Sequence, residues 1–407
     1  MASNPVAVPN VGVSGTFTVG TVDYIREVQR DVVVYDRVSS PLMTWLSMTK
    51  GRLRPTSNAI FEWFENQYDT GTLTITAGFT GGAATEDVEI TSPTVIEGDT
   101  FCEPISNQFF ITTVIIDRNT AGSSHVTLKL LPSGSNIVAV AGPVTLVNCG
   151  NNMMENGSFP DSKGTKPTQL QNTVTKQAAS IEITDEEYHS PNYWGNKWFT
   201  DKEAAITQFR KDMERNLLFS KYYIETNFSQ TNTLAAARTG TLRGTRGLLN
   251  TIQTNVQSYS GKCTAAVVRQ WLRTAVWPKK YSGSATKMTL WGPDALNDFT
   301  QDISTQIRLT TMGNQLYGLN IYEFLFMGNY RILIMQEPEF YEVSPYIKGI
   351  VAVDPNQMFM RSGPIPDFMR VENTTLPRVQ TMSIGMKSQT GLQYQMETSG
   401  AVLKQPS

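Results

Sequence analysis

The sequence predicts an α+β protein in which a small β-barrel or β-sandwich is inserted into a chain organised around one long helix. Three observations predict it. Apolar residues recur at helical spacing from Ile206 to Ile224, residues 71–150 break into short strands bounded by turn signals, and the last third of the chain is dominated by strand patterns. A chain of 407 residues exceeds what one core usually serves, so two or three lobes are expected.

Taken in order, residues 1–20 are uncharged and rich in Gly, Val, Ser and Thr, and read as an arm ordered by contact with something else. Asp23 to Asp36 fits a short helix or an extended charged segment. An apolar knot follows at Pro41-Leu42-Met43-Thr44-Trp45-Leu46, then a basic patch at Lys50, Arg52 and Arg54. Asn58 to Phe64 alternates as a strand with aromatics on one face. Between Gly71 and Gly150 five strands are expected, at Thr72–Thr76, Val88–Thr91, Phe109–Ile116, Val126–Leu130 and Val144–Val147. A polar linker, 151–166, returns from this insertion.

From Gln169 a polar, strand-like lead-in carrying Val174, Ile181 and Ile183 delivers the chain into a helix expected over about 197–226. Thr200 with Glu203 forms a capping box at its start. Ile206, Phe209, Met213, Leu217, Ser220 and Ile224 make one narrow apolar stripe, and Lys202, Arg210, Lys211, Glu214 and Arg215 take the other faces. Such a helix would be roughly 40 Å long and needs something long to lie on. Trp194 and Trp198 precede it, as a partner anchor or a hydrophobic staple.

Thr239 to Arg246 reads as a flexible basic turn. Helices are expected at Ala265–Val276 and Asp294–Ile307, with a strand at Lys287–Trp291 between them. Strands follow at Leu319–Phe326, Tyr330–Gln336, Ile350–Asp354, Met358–Arg361 and Gln380–Gln389, and then a tail of about ten residues.

The net charge of -2 and pI near 5.9 argue against a dedicated nucleic-acid binder. The charge is uneven, however: residues 71–150 carry seven acids and two bases. Cys102, Cys149 and Cys263 lie far apart in no metal-ligand spacing, which suits a reducing compartment and leaves a Cys102–Cys149 disulfide open to geometry. No charged leader and no long apolar window occur, so a soluble protein made in a cytoplasm and independent of membranes is expected.

Chemistry is hard to find. His125, read as lying in a turn, and His189 sit in no motif, and no nucleophile elbow, phosphate-binding loop, dinucleotide fingerprint or zinc spacing occurs. Acidic pairs such as Glu86/Asp87 and the run Asp185/Glu186/Glu187 read as solvated surface. No catalytic residue, metal or cofactor is expected.

The order of elements, and a set of short motifs, resemble the major capsid proteins of tailed bacteriophages of the Hong Kong 97 type, in a phage-encoded subgroup with a β-domain inserted in the E-loop. The motifs are Pro41 to Leu46; Glu62-Trp63; Glu97-Gly98-Asp99; Gln169-Leu170-Gln171-Asn172 leading to Ile181-Glu182-Ile183-Thr184; Lys211-Asp212-Met213-Glu214-Arg215; Arg243-Gly244-Thr245-Arg246-Gly247-Leu248; and Glu397. The resemblance implies an N-terminal arm over 1–50, an E-loop over 51–70 and 151–184, the inserted β-domain over 71–150, a peripheral domain with its spine helix over 185–239 and 346–407, and an axial domain over 240–345. It implies a structural subunit that self-assembles, through pentamers and hexamers, into an icosahedral or prolate shell around packaged double-stranded DNA. Spine-helix packing would fall to Ile206, Phe209, Met213, Leu217 and Ile224, and inter-subunit contacts to Trp45, Trp63, Trp194, Trp198, Arg243 and Arg246.

Portal, scaffold and decoration proteins are further expected partners, the scaffold as a separate protein or a removed piece. The founding member welds its subunits through a Lys–Asn bond made by a Glu; these positions do not map here, and no cross-link is expected. Two other readings are an encapsulin-like nanocompartment with a protein cargo, and a carbohydrate- or receptor-binding module centred on 71–150.

Overall fold

The computed structural model describes residues 40–66, 71–92, 94–119, 123–153, 155, 159–160, 167–189, 197–232, 235–277, 284–303, 310–311, 321–326, 330–341, 343–363, 369–373 and 381–406. The expected arm at 1–20, the segment Asp23–Asp36 and Trp194 lie outside them. The chain forms two compact units, one built from 40–59, 173–276 and 284–406, the other mainly from Ile60–Asn172.

In the first unit the long helix spans Lys197–Phe219, about 35 Å at 1.5 Å per residue. Phe209, Met213, Leu217 and Leu218 are buried along it, with Ile206 partly buried against the same core. The helix ends seven residues sooner than its apolar spacing suggested. Ile224 therefore belongs to a strand, Tyr223–Asn232, and is exposed, because the chain leaves the helix at Ser220. Its start lies at Lys197, so Thr200 and Glu203 fall within the helix and do not form its initiating cap. Lys211 and Glu214, expected on solvent-facing sides, are buried.

Two sheets share this helix's core. One is five-stranded, in the order Leu53–Pro55, Met358–Ser362, Thr381–Tyr394, Thr175–Thr184, with Met369–Asn373 also paired to the long strand Thr381–Tyr394. The lead-in expected before the helix is thus a full partner of that strand over ten residues, Thr175↔Thr390 to Thr184↔Thr381. Its alternation puts Ile181 and Ala179 against the core.

The other sheet is seven-stranded, in the order Val256–Ser258, Ala401–Lys404, Ile350–Val353, Thr286–Trp291, Tyr330–Gln336, Ile321–Phe326, Thr310–Thr311. Ile350–Val353 is buried throughout, as a strand covered on both faces should be. The C-terminus corrects the expected tail: Ala401, Val402 and Leu403 are buried and lie between two strands of this sheet. Strands 350–353 and 401–404 also pair with elements of the 240–345 segment, although they fall in the range assigned to a peripheral domain. Long-range pairing, invisible to local patterning, moved them. Lys287 and Asp354 form a buried ion pair at 3.3 Å, with Lys287 Nζ also donating to Ser399 O at 3.0 Å and Ser284 N donating to the Asp354 carboxylate at 2.6 Å.

The second unit holds a closed barrel of six strands, in the cyclic order Val144–Asn151, Thr72–Ile75, Thr85–Ile90, Ser123–Leu131, Gln108–Asn119, Asp99–Glu103. The last of these was missed by sequence reading. Closure removes the exposed edges of a short sheet, and alternate residues such as Val126, Leu128 and Leu130 fill the interior beside Phe79 and Phe110, whose rings stack at 4.7 Å. His125, expected in a turn, lies on a barrel strand. The barrel's acidity is not all surface: Asp99 and Glu103 are buried, accepting from the backbone N–H groups of Ile96, Ile105 and Ser106. Cys102, Cys149 and Cys263 are free thiols.

Phe209→Asp should prevent folding of the first unit and with it particle formation, since a buried unpaired carboxylate costs several kcal/mol. Leu217→Ala should cost roughly 2–5 kcal/mol in chemical denaturation. Normal stability of either variant would refute the stripe.

Candidate assembly surfaces

The helix Pro41–Met48 begins without a side-chain cap at Ser40. Its orphan donors are satisfied from 171 and 172 residues away: the Glu214 carboxylate accepts from Met43 N at 2.7 Å and Leu42 N at 2.8 Å. That contact anchors the start of the described chain to the long helix. Trp45, expected to contact neighbours, is buried within the same subunit's core on this short helix.

Glu214 has a second buried carboxyl beside it. Glu337 is fully enclosed, its Oε1 accepting from Glu339 N at 3.3 Å and its carboxyl hydrogen-bonded to that of Glu214. Burial, outweighing the two backbone hydrogen bonds, pushes the Glu214 carboxyl up to about 7. Burial and then the Glu214 charge push Glu337 well up also. The neighbouring Glu339 is engaged by Arg215. Two carboxyls so placed hold at least one proton between them at neutral pH.

At its C-terminal end the long helix is closed by the segment expected to be a flexible basic turn. Residues Ala235–Gly244 form a strand paired with Tyr223–Asn232, and the chain then makes a clamp. Gly247 N donates to Ser220 O at 2.7 Å, and Asn250 Nδ2 donates to Phe219 O at 2.6 Å and Ser220 O at 3.0 Å. Thr245 N donates to Thr175 Oγ1 at 2.6 Å, its own Oγ1 accepts from Leu392 N at 3.1 Å, and Thr173 Oγ1 donates to Gly244 O at 2.8 Å. The approach is so close that a Cβ on Gly247 would stand 2.8 Å from Leu218 O. Arg-Gly-Thr-Arg-Gly is therefore a staple between the helix and two strands.

Two ribbons leave apolar groups in water. Among the described residues the hairpin Tyr223–Asn232/Ala235–Gly244 forms a two-stranded sheet of its own and exposes Tyr223, Ile224, Phe228 and Leu242. In the second unit, Ile60–Glu65 pairs with Thr168–Thr173. Phe61 and Trp63 stack at 6.1 Å on one face of it, Phe61 buried and Trp63 half-buried, while Ile60 and Phe64 on the opposite face are exposed, Phe64 by 68%. Two-stranded ribbons are marginal in water on their own, and clustered exposed apolar groups mark interaction surfaces.

Of the other residues singled out by sequence, Trp198 is half-buried in the first turn of the long helix. Arg243 is half-buried opposite Ile224 in the hairpin, its Nε without a hydrogen-bond partner among the described residues. Arg246 is exposed, its guanidinium 5.8 Å from the Tyr222 ring centre. Sequence reasoning missed the Glu214–Glu337 pair, which no spacing signals across 123 positions. Among the described residues no group of acidic, His and Cys side chains could hold a metal, and no helix is long and apolar enough to cross a membrane.

Thin ribbons with clustered exposed apolar groups are the mark of a protein built to contact other molecules. The sequence of residues 12–336 matches the family described as SU10 major capsid protein, and the chain belongs to that family. It is a structural subunit of a phage capsid, one of many copies that form the virion shell. Comparison with curated protein sequences returned no match. Among solved structures, the chain is similar to the capsid of a native GTA particle (8% identity, TM-score 0.48, covering 97% of this chain and 99% of that one). It is also similar to the capsid of Myoviridae phage XM1 (9%, 0.45, 94% and 97%). A third similarity is to the holo-SrpI encapsulin complex of Synechococcus elongatus PCC 7942 (14%, 0.41, 60% and 77%). These likenesses are distant, and the assignment rests on the family match.

The carboxyl pair makes stability pH-dependent. A carboxyl raised in the folded state keeps a proton that the unfolded chain has already lost, so its contribution is full at acid pH and declines as pH rises from 4.5 to about 7. Glu337→Gln, which removes one of the two charges, should flatten that decline and raise stability at pH 8 by about 1–2 kcal/mol in urea titrations. Gly247→Ala should cost about 1–3 kcal/mol in the same assay through the clash with Leu218 O.

Proposed function

We propose that this subunit builds a shell of the Hong Kong 97 type around double-stranded DNA, acting without catalysis. The observation that carries this reading is the pair of thin ribbons with open apolar faces. Here the ribbon Ile60–Glu65/Thr168–Thr173 serves as the stem of the E-loop, with Trp63 at its base, and the hairpin carrying Ile224 and Arg243, with Arg246 just beyond it, meets a neighbouring subunit. Lys197–Phe219 is the spine helix, packed through Ile206, Phe209, Met213 and Leu217. The five-stranded sheet corresponds to a peripheral domain and the seven-stranded sheet to an axial one. Residues before Pro41 act as the N-terminal arm, with Trp194 and Trp198 at a subunit contact.

The energy of such a shell is distributed. Each ribbon buries apolar area only when a neighbour arrives, and closed symmetry repeats every contact, so assembly strengthens cooperatively. Packaged DNA needs only sequence-independent phosphate contacts from scattered basic groups. A portal, a scaffold and a decoration protein complete the proposed partner set, the last through the barrel.

Electron microscopy of the purified chain tests this, with light scattering for mass. Closed shells, or rings of five and six, are expected, and a stable monomer both alone and with its scaffold would refute it. Shells filled with an enzyme in place of DNA would move the reading to a nanocompartment. Replacing 71–150 by a Gly/Ser linker should leave the first unit folded, with an unchanged thermal transition for that unit.

A further inference from the structure

Arg243 stands directly opposite Ile224 on one face of the hairpin Tyr223–Asn232/Ala235–Gly244, half-buried, with its Nε shielded from water. Among the described residues its guanidinium makes no hydrogen bond or ion pair. The neighbouring acid, Glu225, pairs with Leu242, and alternation along the strand turns it to the other face. A donor closed off from water and left unpaired is costly, which favours an acceptor arriving from outside. Planar guanidinium forks take carboxylates through two parallel bonds. The ribbon Ile60–Glu65/Thr168–Thr173 carries the complementary pattern. Ile60, Glu62 and Phe64 alternate onto its exposed face, so a carboxylate stands between two apolar side chains, each about 7 Å along the strand. Gln169 Nε2, from the paired strand, donates to Glu62 Oε2 at 2.6 Å, which steers the carboxylate without neutralising it. No cation among the described residues pairs with Glu62.

We infer that these two faces pack on each other between copies of the chain: the Ile60–Glu62–Phe64 face of one subunit's ribbon covers the Ile224–Arg243 face of a neighbour's hairpin, with Glu62 accepting from Arg243 and Phe64 lying on Ile224. This rests on the shell reading above. A second copy is the occupant because the chain supplies both halves of the match, an unpaired cation beside an apolar group and an unneutralised carboxylate between two others. Ile60, Phe64 and Ile224 are all exposed in the subunit, so neither apolar face is covered there. Sheets packed face to face lie about 10 Å apart, a span that a Glu and an Arg side chain bridge together. Different patches meet, so the contact is head-to-tail and closes into rings when repeated. Complementary charge then fixes the register in which the two ribbons dock.

Charge reversal in the full chain, produced with its scaffold, tests the contact. E62R and R243E should each lower the fraction of protein in particles about tenfold, measured by sedimentation and electron microscopy. E62R/R243E should recover it to within about threefold of the unaltered chain. Mixing the two single variants should also recover particles, because each then offers the other an opposite charge across the contact. Recovery in the double variant but not in the mixture would place the pair inside one subunit and overturn the inference. Normal particles from E62R overturn it as well, and leave the shell reading intact. If thermal melts show that R243E unfolds, R243Q replaces it: E62R/R243Q should assemble better than E62R, since the like charge is gone, and equal failure of the two overturns the contact. So do R243E particles that form normally but lack DNA, since Arg243 would then read phosphate. Failure of the unaltered chain to assemble with its scaffold overturns both readings.

Discussion

The first unit depends on one carboxylate. Glu214 sits in the C-terminal half of the long helix, wholly buried, and both its oxygens are used to start another helix far upstream in the chain. Without it, Leu42 and Met43 would carry unpaired donors in the same core that holds Trp45, Leu46 and Met213. Its cost is the desolvation of a charge, reduced by sharing a proton with Glu337. Helix start, helix body and the 337–341 segment are consequently coupled through a single titrating pair.

The C-terminal end of the helix is governed by close approach. Gly247 lets the backbone pass against Leu218, and Thr245 then bonds to two strands of the five-stranded sheet at once. Both contacts, at Glu214 and at Gly247, fall in the last two turns of the helix and fix that part of it to the short helix Pro41–Met48 and to the sheet. The core takes in Phe209, Met213, Leu217 and Leu218 of the helix, while Ile60, Phe64, Ile224 and Phe228 on the ribbons are exposed in the subunit.

The barrel manages its own stability. Closure uses every strand edge, Phe79 and Phe110 fill the interior, and two of its acids are spent on backbone donors at turns.

Much was legible without coordinates. The stripe Phe209, Met213, Leu217 follows helical spacing, the barrel's strands alternate and are punctuated by glycine turns, and the aromatic strand at Ile60 shows its two faces, because these are local periodicities written in consecutive residues. The family resemblance came from motifs in order. What local pattern could not carry was decided by the tertiary structure. Ile224 continued the spacing but left the helix, because Gly247 and Asn250 close it at Ser220. Glu214 and Lys211 looked solvated, yet the core wraps further round the helix than a narrow stripe implies. Thr239–Arg246 looked flexible, though Thr245 bonds partners 70 and 147 residues away. The last strand, Ala401–Lys404, looked like a tail until the sheet between Val256–Ser258 and Ile350–Val353 gave it neighbours. By itself the sequence determined where the long helix and most of the barrel strands run; the fold alone decided which segments end, pair or bury their charged groups, because those outcomes depend on partners far along the chain.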